Sequence, residues 1–291
     1  MNVIRILSLF GLLAAVIIAA GWLAAGFWGM TAALLIVIAI SMASYWYSDS
    51  IVLRMYGAVP ANDNELDEIA EKLASQACIP KPRVFIIPAD VPNAFATGRD
   101  YEHSVIALTK GLLAFEKYEI EAVMAHEMGH IKHRDTLGAA VAAAMAAAVA
   151  YVAQIGYWSL FMEDRKSEGG FIGLVLIIIF APVAALIIRF AISRLTEYRA
   201  DYVAAMLTRN PRALSGALMK INEIAMQAPV RGPAATSNIW IVNPFHVDWF
   251  TALFSTHPPV EMRIKRLESM NSIGYEPVEK EEPQTQGDAK T

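Results

Sequence analysis

Two histidines four positions apart, with a glutamate directly after the first, stand at His126, Glu127 and His130 in the stretch AHEMGH. On an α-helix, residues four apart project from one face, so both imidazoles can reach one ion with ring nitrogens about 2 Å from it. Glu127 lies about 100° round the helix. From there it can take a proton from a water held by the ion without displacing either histidine, as metal-assisted peptide hydrolysis requires. The plain alternative is two histidines on a solvated helix face.

A catalytic zinc takes three protein ligands and keeps a fourth position open, so the motif needs a partner elsewhere. His133 shares the face of His126 but lies about 10.5 Å further along the axis, and Asp135 reads as part of a polar helix end. The better candidate is in SRLTEYRADYVAA, where Glu197 and Asp201 are four apart and share a helix face. Glu197 is the candidate third ligand. Asp201 can accept the free ring N–H of a ligating histidine and orient it. Out of context both read as solvated carboxylates, with Glu197 pairing to Arg194 one turn back. No group for a developing oxyanion stands out.

The elements that must position these side chains are legible around them. NDNELDEIAEKLASQACIP carries capping residues at Asn62 to Asn64 and apolar Leu66, Ile69, Leu73 and Ala77 at helical spacing, and Pro80 ends it. RVFIIP (Arg83 to Pro88) and HSVIALT (His103 to Thr109) are β-branched runs bounded by breakers, as strands are. A helix from about Lys117 to Arg134 holds the histidine motif, with Glu116, Glu119 and Glu121 near its start, where the helix dipole favours acids. Between the two strands, NAFATG (Asn93 to Gly98) forms a further short strand. A substrate can pair with a free sheet edge through main-chain hydrogen bonds, which makes Asn93, Ala94, Phe95, Ala96 and Thr97 the candidate substrate contacts; a surface loop or interior strand is the other reading. THPPVEMRIKRLESM reads as a turn and an amphipathic helix with Met262, Ile264 and Leu267 apolar, a packing element.

Composition places this unit at a membrane. The 291 residues are 56% hydrophobic and 18% charged, against roughly a quarter charged in an ordinary soluble domain. No charged residue occurs between Arg5 and Asp49, room for two spans at about 20 residues each; they are expected near Ile6 to Ala25 and Phe27 to Tyr47. A cleaved signal peptide wants a shorter apolar core followed by polar sequence. Uncharged runs at Thr136 to Met162 and Gly169 to Ile188 form a second pair, or else a buried helical hairpin of a soluble domain. Arg5, Arg54, Lys132, Arg134, Arg189, Arg194 and Arg199 flank the spans on one side, which by the positive-inside tendency is the cytoplasm. His130 and Glu197 then emerge on the same face, since two crossings separate them. The lone Cys78 suits a reducing compartment, and a net charge of −4 offers nucleic acid no basic surface.

The whole chain from Met1 to Leu267 resembles the HtpX-type membrane zinc endopeptidases, relatives of the CAAX prenyl endopeptidases. The resemblance rests on five motifs in the same order: the amino-terminal hairpin ending SYWYSD, NAFATG, HEMGH before an apolar pair, SRLTEYRAD, and STHPPVEMRIKRL. It implies a mainly α, integral membrane protein: four transmembrane helices with a cytoplasmic zincin-like α+β metalloprotease domain. One zinc per chain is bound by His126, His130 and Glu197, with Glu127 as base and Asp201 behind a ligand. The implied activity is cleavage of damaged or misfolded membrane proteins at the cytoplasmic side of the bacterial inner membrane, as quality control under stress. The expected organisation is an N-terminal hairpin over 1–50, a protease segment over 51–135, a second hydrophobic hairpin over 136–192, a segment with the third ligand over 193–274 and a disordered tail over 275–291. A catalytically idle zinc-binding scaffold or chaperone is the alternative; Glu127 weighs against it, because metal binding alone needs no base. A transporter should show polar or broken helices at mid-membrane depth, and the first two runs are uniformly apolar.

Overall fold

The computed structural model describes residues 3–136, 194–227, 241 and 258–272. The second hydrophobic pair and the tail expected from Tyr275 lie outside them. The first helix, α1 (Val3–Trp46), is one helical run broken at Ala25 and Gly26, where Gly26 takes φ +59. Glycine adopts that left-handed conformation without steric cost, and the expected hairpin turn falls there. A Cβ on Gly21 would collide with the Gly29 carbonyl and with Ala33, so the two arms touch through bare backbone. Trp22, Phe27 and Trp28 stand exposed at its tip. Taken over the described residues, no helix is long and apolar enough to cross a membrane, so four spans are not established by the fold.

After α2 (Ser48–Met55) comes a four-stranded sheet in the order β1-β2-β4-β3, from Val59–Pro60, Arg83–Ile87, Ala94–Thr97 and Val105–Thr109. β2 and β4 are parallel and the other pairs antiparallel. Strand side chains alternate between faces, and both faces are covered. Ala94, Ala96, Ile106 and Leu108 join the main core with α3 (Asn64–Ala77) and α4 (Lys117–Lys132). Phe95, Val105 and Ala107 pack on the other side with Val52 and Leu53 of α2. Asp63 caps α3 by accepting from the Glu65 and Leu66 N–H groups, and the helix ends at Cys78 with φ +58.

The motif helix begins with reciprocal hydrogen bonds between Glu116 and Glu119, each side chain accepting from the other's backbone. Its end comes two residues before the expected Arg134. His133 is half-buried, with Nδ1 2.8 Å from the Gly129 carbonyl, and Arg134 turns left-handed at φ +56 with its guanidinium over the Tyr101 ring. Three further helices close the core: α5 (Arg194–Thr208), α6 (Pro211–Gln227) and α7 (Val260–Ser272). Leu214, Leu218 and Leu267 are fully buried, each stabilising the fold by about 1.5–3 kcal/mol. Met262, expected on the buried face of α7, is exposed instead.

Candidate metal centre

The centre sits where α4 and α5 meet, and Gly129 lets them approach. A Cβ there would stand 3.0 Å from Ala200 Cα and 3.2 Å from Val203 Cβ, tighter than side chains ordinarily pack, so the glycine inside the motif sets how near Glu197 comes. His126 and His130 direct their Nε2 atoms at each other across 3.1 Å. Two nitrogens on one tetrahedral zinc stand about 3.3 Å apart. Glu197 places Oε2 3.6 Å from His126 Nε2 and Oε1 3.6 Å from His130 Nε2. One donor atom from each of the three lies within 4.8 Å of the others. Two imidazoles and a carboxylate are a donor set that zinc takes in hydrolytic enzymes, so the residues fit the ion.

Burial is uneven around that point. The His126 side chain is 0% exposed and that of His130 15%, so the His130 side is the open one. Glu127 is buried beside them. Burial pushes its carboxyl up and Glu197 adds to this, while His126 and His130 oppose it. A carboxylate raised in this way holds a proton more readily, which suits a base. For His126, burial and the Arg263 charge act downward, but the Asp201 and Glu197 carboxylates outweigh them and raise the imidazole to about 9. Metal binding at His126 therefore displaces a proton.

Asp201, expected from spacing to orient a ligating histidine, has Oδ1 3.0 Å from His126 Nδ1. What spacing missed is Arg263. Its guanidinium is fully buried and donates to Asp201 twice, Nε to Oδ2 at 3.0 Å and Nη2 to Oδ1 at 2.7 Å. Nη1 donates to the Ile241 carbonyl at 2.9 Å and lies 3.4 Å from Glu197 Oε2. Nη2 also lies 3.4 Å from both ring nitrogens of His126, so Arg263 touches the site directly as well as through Asp201, and it offsets the buried carboxylates, which would be costly unpaired. Burial alone would raise Asp201, but Arg263 and His126 hold it below the usual carboxylate range. A signal was available: Arg263 falls three after Val260 and four before Leu267, a charge on the apolar stripe of its helix.

Asn93 to Thr97 are all buried, and β3 is an edge strand. The Thr109 N–H donates to the Asn93 carbonyl, which fixes the hydrogen-bonding parity: Asn93, Phe95 and Thr97 pair with β4, while Ala94 and Ala96 direct their main-chain groups outward. The Ala94 N–H goes to Asn93 Oδ1, and its carbonyl accepts the Ile241 N–H at 3.0 Å. Phe95 is thus not the edge contact; its side chain lies under α2.

Residues 60–271 match the sequence profile of Peptidase family M48. The chain is 47% identical over 272 residues to a protein named Protease HtpX homolog from Pyrococcus abyssi, covering 91% of this chain and 94% of that one. A Desulforapulum autotrophicum protein of the same name is 43% identical over 282 residues, covering 94% and 91%. Among solved structures, that of S. mikatae Ste24p superposes with a TM-score of 0.50 at 20% identity, over 88% of this chain and 62% of that one, a likeness of fold.

Proposed function

The chain belongs to Peptidase family M48 and is a metalloendopeptidase; we propose that it is a membrane-embedded zinc enzyme that cleaves damaged or misfolded membrane proteins on the cytoplasmic side. The convergence of His126, His130 and Glu197 on one point, with Glu127 buried beside them, carries this reading. The Glu127 carboxylate is the reason to favour an enzyme over an idle zinc scaffold.

His126, His130 and Glu197 would hold a zinc ion, which would supply Lewis acidity toward a water and the scissile carbonyl. Glu127 takes the proton and returns it to the leaving amine. Asp201 holds Nδ1–H of His126, which leaves Nε2 as the ligating nitrogen. Substrate enters over the exposed side of His130 and pairs as a strand with the outer edge of β3, through the Ala96 N–H and carbonyl, contesting Ala94 with Ile241. Main-chain pairing demands little of sequence, which suits an enzyme that meets many damaged proteins.

The membrane setting is supported by the two uncharged runs before Asp49 and after Asp135 and by the basic residues flanking them. The reading as a whole is tested by the metal content of the purified full chain, together with cleavage of an unfolded membrane protein with and without a chelator. About one zinc per chain and chelator-sensitive cleavage are expected. Cleavage that survives complete removal of metal would overturn the assignment.

A further inference from the structure

We propose that Asp135, clamped by Arg199, is the positioning residue of His130, as Asp201 clamped by Arg263 is of His126, and that the left-handed break at Arg134 brings it there. This rests on the metal-centre reading above. Asp135 is five residues after His130. On an uninterrupted helix it would lie about 140° round and about 7.5 Å along the axis, facing away from the imidazole. The structure places its Oδ2 3.6 Å from His130 Nδ1, because α4 stops at Lys132 and Arg134 adopts φ +56 before the chain resumes helical conformation. A left-handed arginine costs roughly 1–3 kcal/mol and persists only where its surroundings hold it. Here Arg134 lies 4.7 Å over the Tyr101 ring.

The carboxylate is fixed from the other side. Arg199 Nη2 donates to Asp135 Oδ1 at 2.9 Å and to Oδ2 at 3.0 Å, and Asp135 is buried. Arg199 sits between Glu197 and Asp201 on α5. One helix therefore supplies a metal ligand, the carboxylate that orients one histidine and the cation that holds the carboxylate of the other. Shortening the His130–Asp135 approach by about 0.5 Å makes it a hydrogen bond. Nδ1–H is then pinned to Asp135, and Nε2 is presented as the ligating nitrogen in a fixed ring orientation. Since His130 is the least buried of the three candidate ligands, it is the one most in need of such support.

The test uses the full-length protein in detergent, with zinc affinity measured by chelator competition and the visible spectrum of the cobalt-substituted form as a report on ligand geometry. Asp135→Ala should weaken zinc binding about 10- to 100-fold and shift the cobalt bands. Asp135→Asn keeps the shape and an acceptor but loses the charge, so it should fold like wild type and weaken binding by less. Arg199→Gln should weaken binding too, and its effect should not add to that of Asp135→Ala. A packing role alone would lower the unfolding temperature and leave the affinity and spectrum of the folded protein unchanged. That result in both Asp135 variants overturns the proposal. A wild-type protein that takes up no zinc would instead sink the metal-centre reading itself.

Discussion

At the scale of single residues, the centre separates ligand, base and orienting groups in a way that substitution can resolve. Glu127→Gln preserves size but cannot take the proton, so zinc should remain near one per chain while cleavage falls by roughly 10² or more. Glu197→Ala deletes a ligand oxygen and should lose metal and activity together. Wild-type cleavage by Glu127→Gln would remove it from the chemistry; tight zinc in Glu197→Ala would send the search for a third ligand elsewhere. Arg263 belongs to a different category, because it answers a problem of charge. Glu127, Glu197 and Asp201 are all buried within one site, and removing the cation takes both guanidinium hydrogen bonds from Asp201 and leaves only the histidines to offset the three carboxylates. Arg263→Ala should destabilise the fold by about 3–5 kcal/mol, read as a large drop in the unfolding midpoint of metal-free protein. A midpoint within a degree or two of wild type would show that the buried carboxylates do not depend on it.

Elements decide whether those residues meet. The approach of α5 to α4 is set at Gly129, where added bulk meets Ala200 and Val203 at 3.0–3.3 Å. Gly129→Val should push the helices apart, cost about 1–3 kcal/mol in overpacking and weaken zinc binding by moving Glu197, while Gly129→Ala should do the same in smaller measure. Zinc affinity unchanged in the valine variant would mean that Glu197 is placed by some other contact. Parity along β3 singles out Ala96 for a second element-scale test. Its N–H points away from β4, so Ala96→Pro removes an outward donor and leaves the inner ladder intact. The expected outcome is a raised KM with zinc content near wild type. Phe95→Pro would instead break the sheet from within, because the Phe95 N–H pairs with Ala107 of β4. Cleavage by Ala96→Pro with an unaltered KM would exclude this edge from substrate binding.

For the whole molecule the question is whether the chain crosses a bilayer and, if it does, which side the centre faces. If the chain crosses twice before Asp49 and twice between Asp135 and Arg194, reporters inserted near Ala61 and fused after Leu267 should both report cytoplasm, and one near Ser167 the opposite side. A cytoplasmic signal from Ser167 would mean that the second hydrophobic pair does not cross. The chemistry requires only that α4 and α5 return to one face, which an even number of crossings between them satisfies.

The candidate metal-site residues are legible in the sequence because their grouping follows from spacing on a helix. Four residues apart means one face, so His126 with His130 and Glu197 with Asp201 were paired before any fold was known. Helices and strands with strong caps and clear periodicity were legible for the same reason, and the turn at Gly26 was marked by small residues between two apolar runs. Tertiary structure decided what depends on where separate elements meet. Arg263 is not marked out by spacing from any motif residue; burial against α5 is what brings its guanidinium to Asp201 and Glu197. By spacing Asp135 reads as part of a polar helix end; a left-handed residue before it breaks the helical register that spacing arguments assume. Which groups of β3 face outward could not be read from residue types either, because parity is set by the pairing of Asn93 with Thr109. Local periodicity constrains one element at a time; the partners of a buried charge are chosen only when elements distant in sequence close on each other.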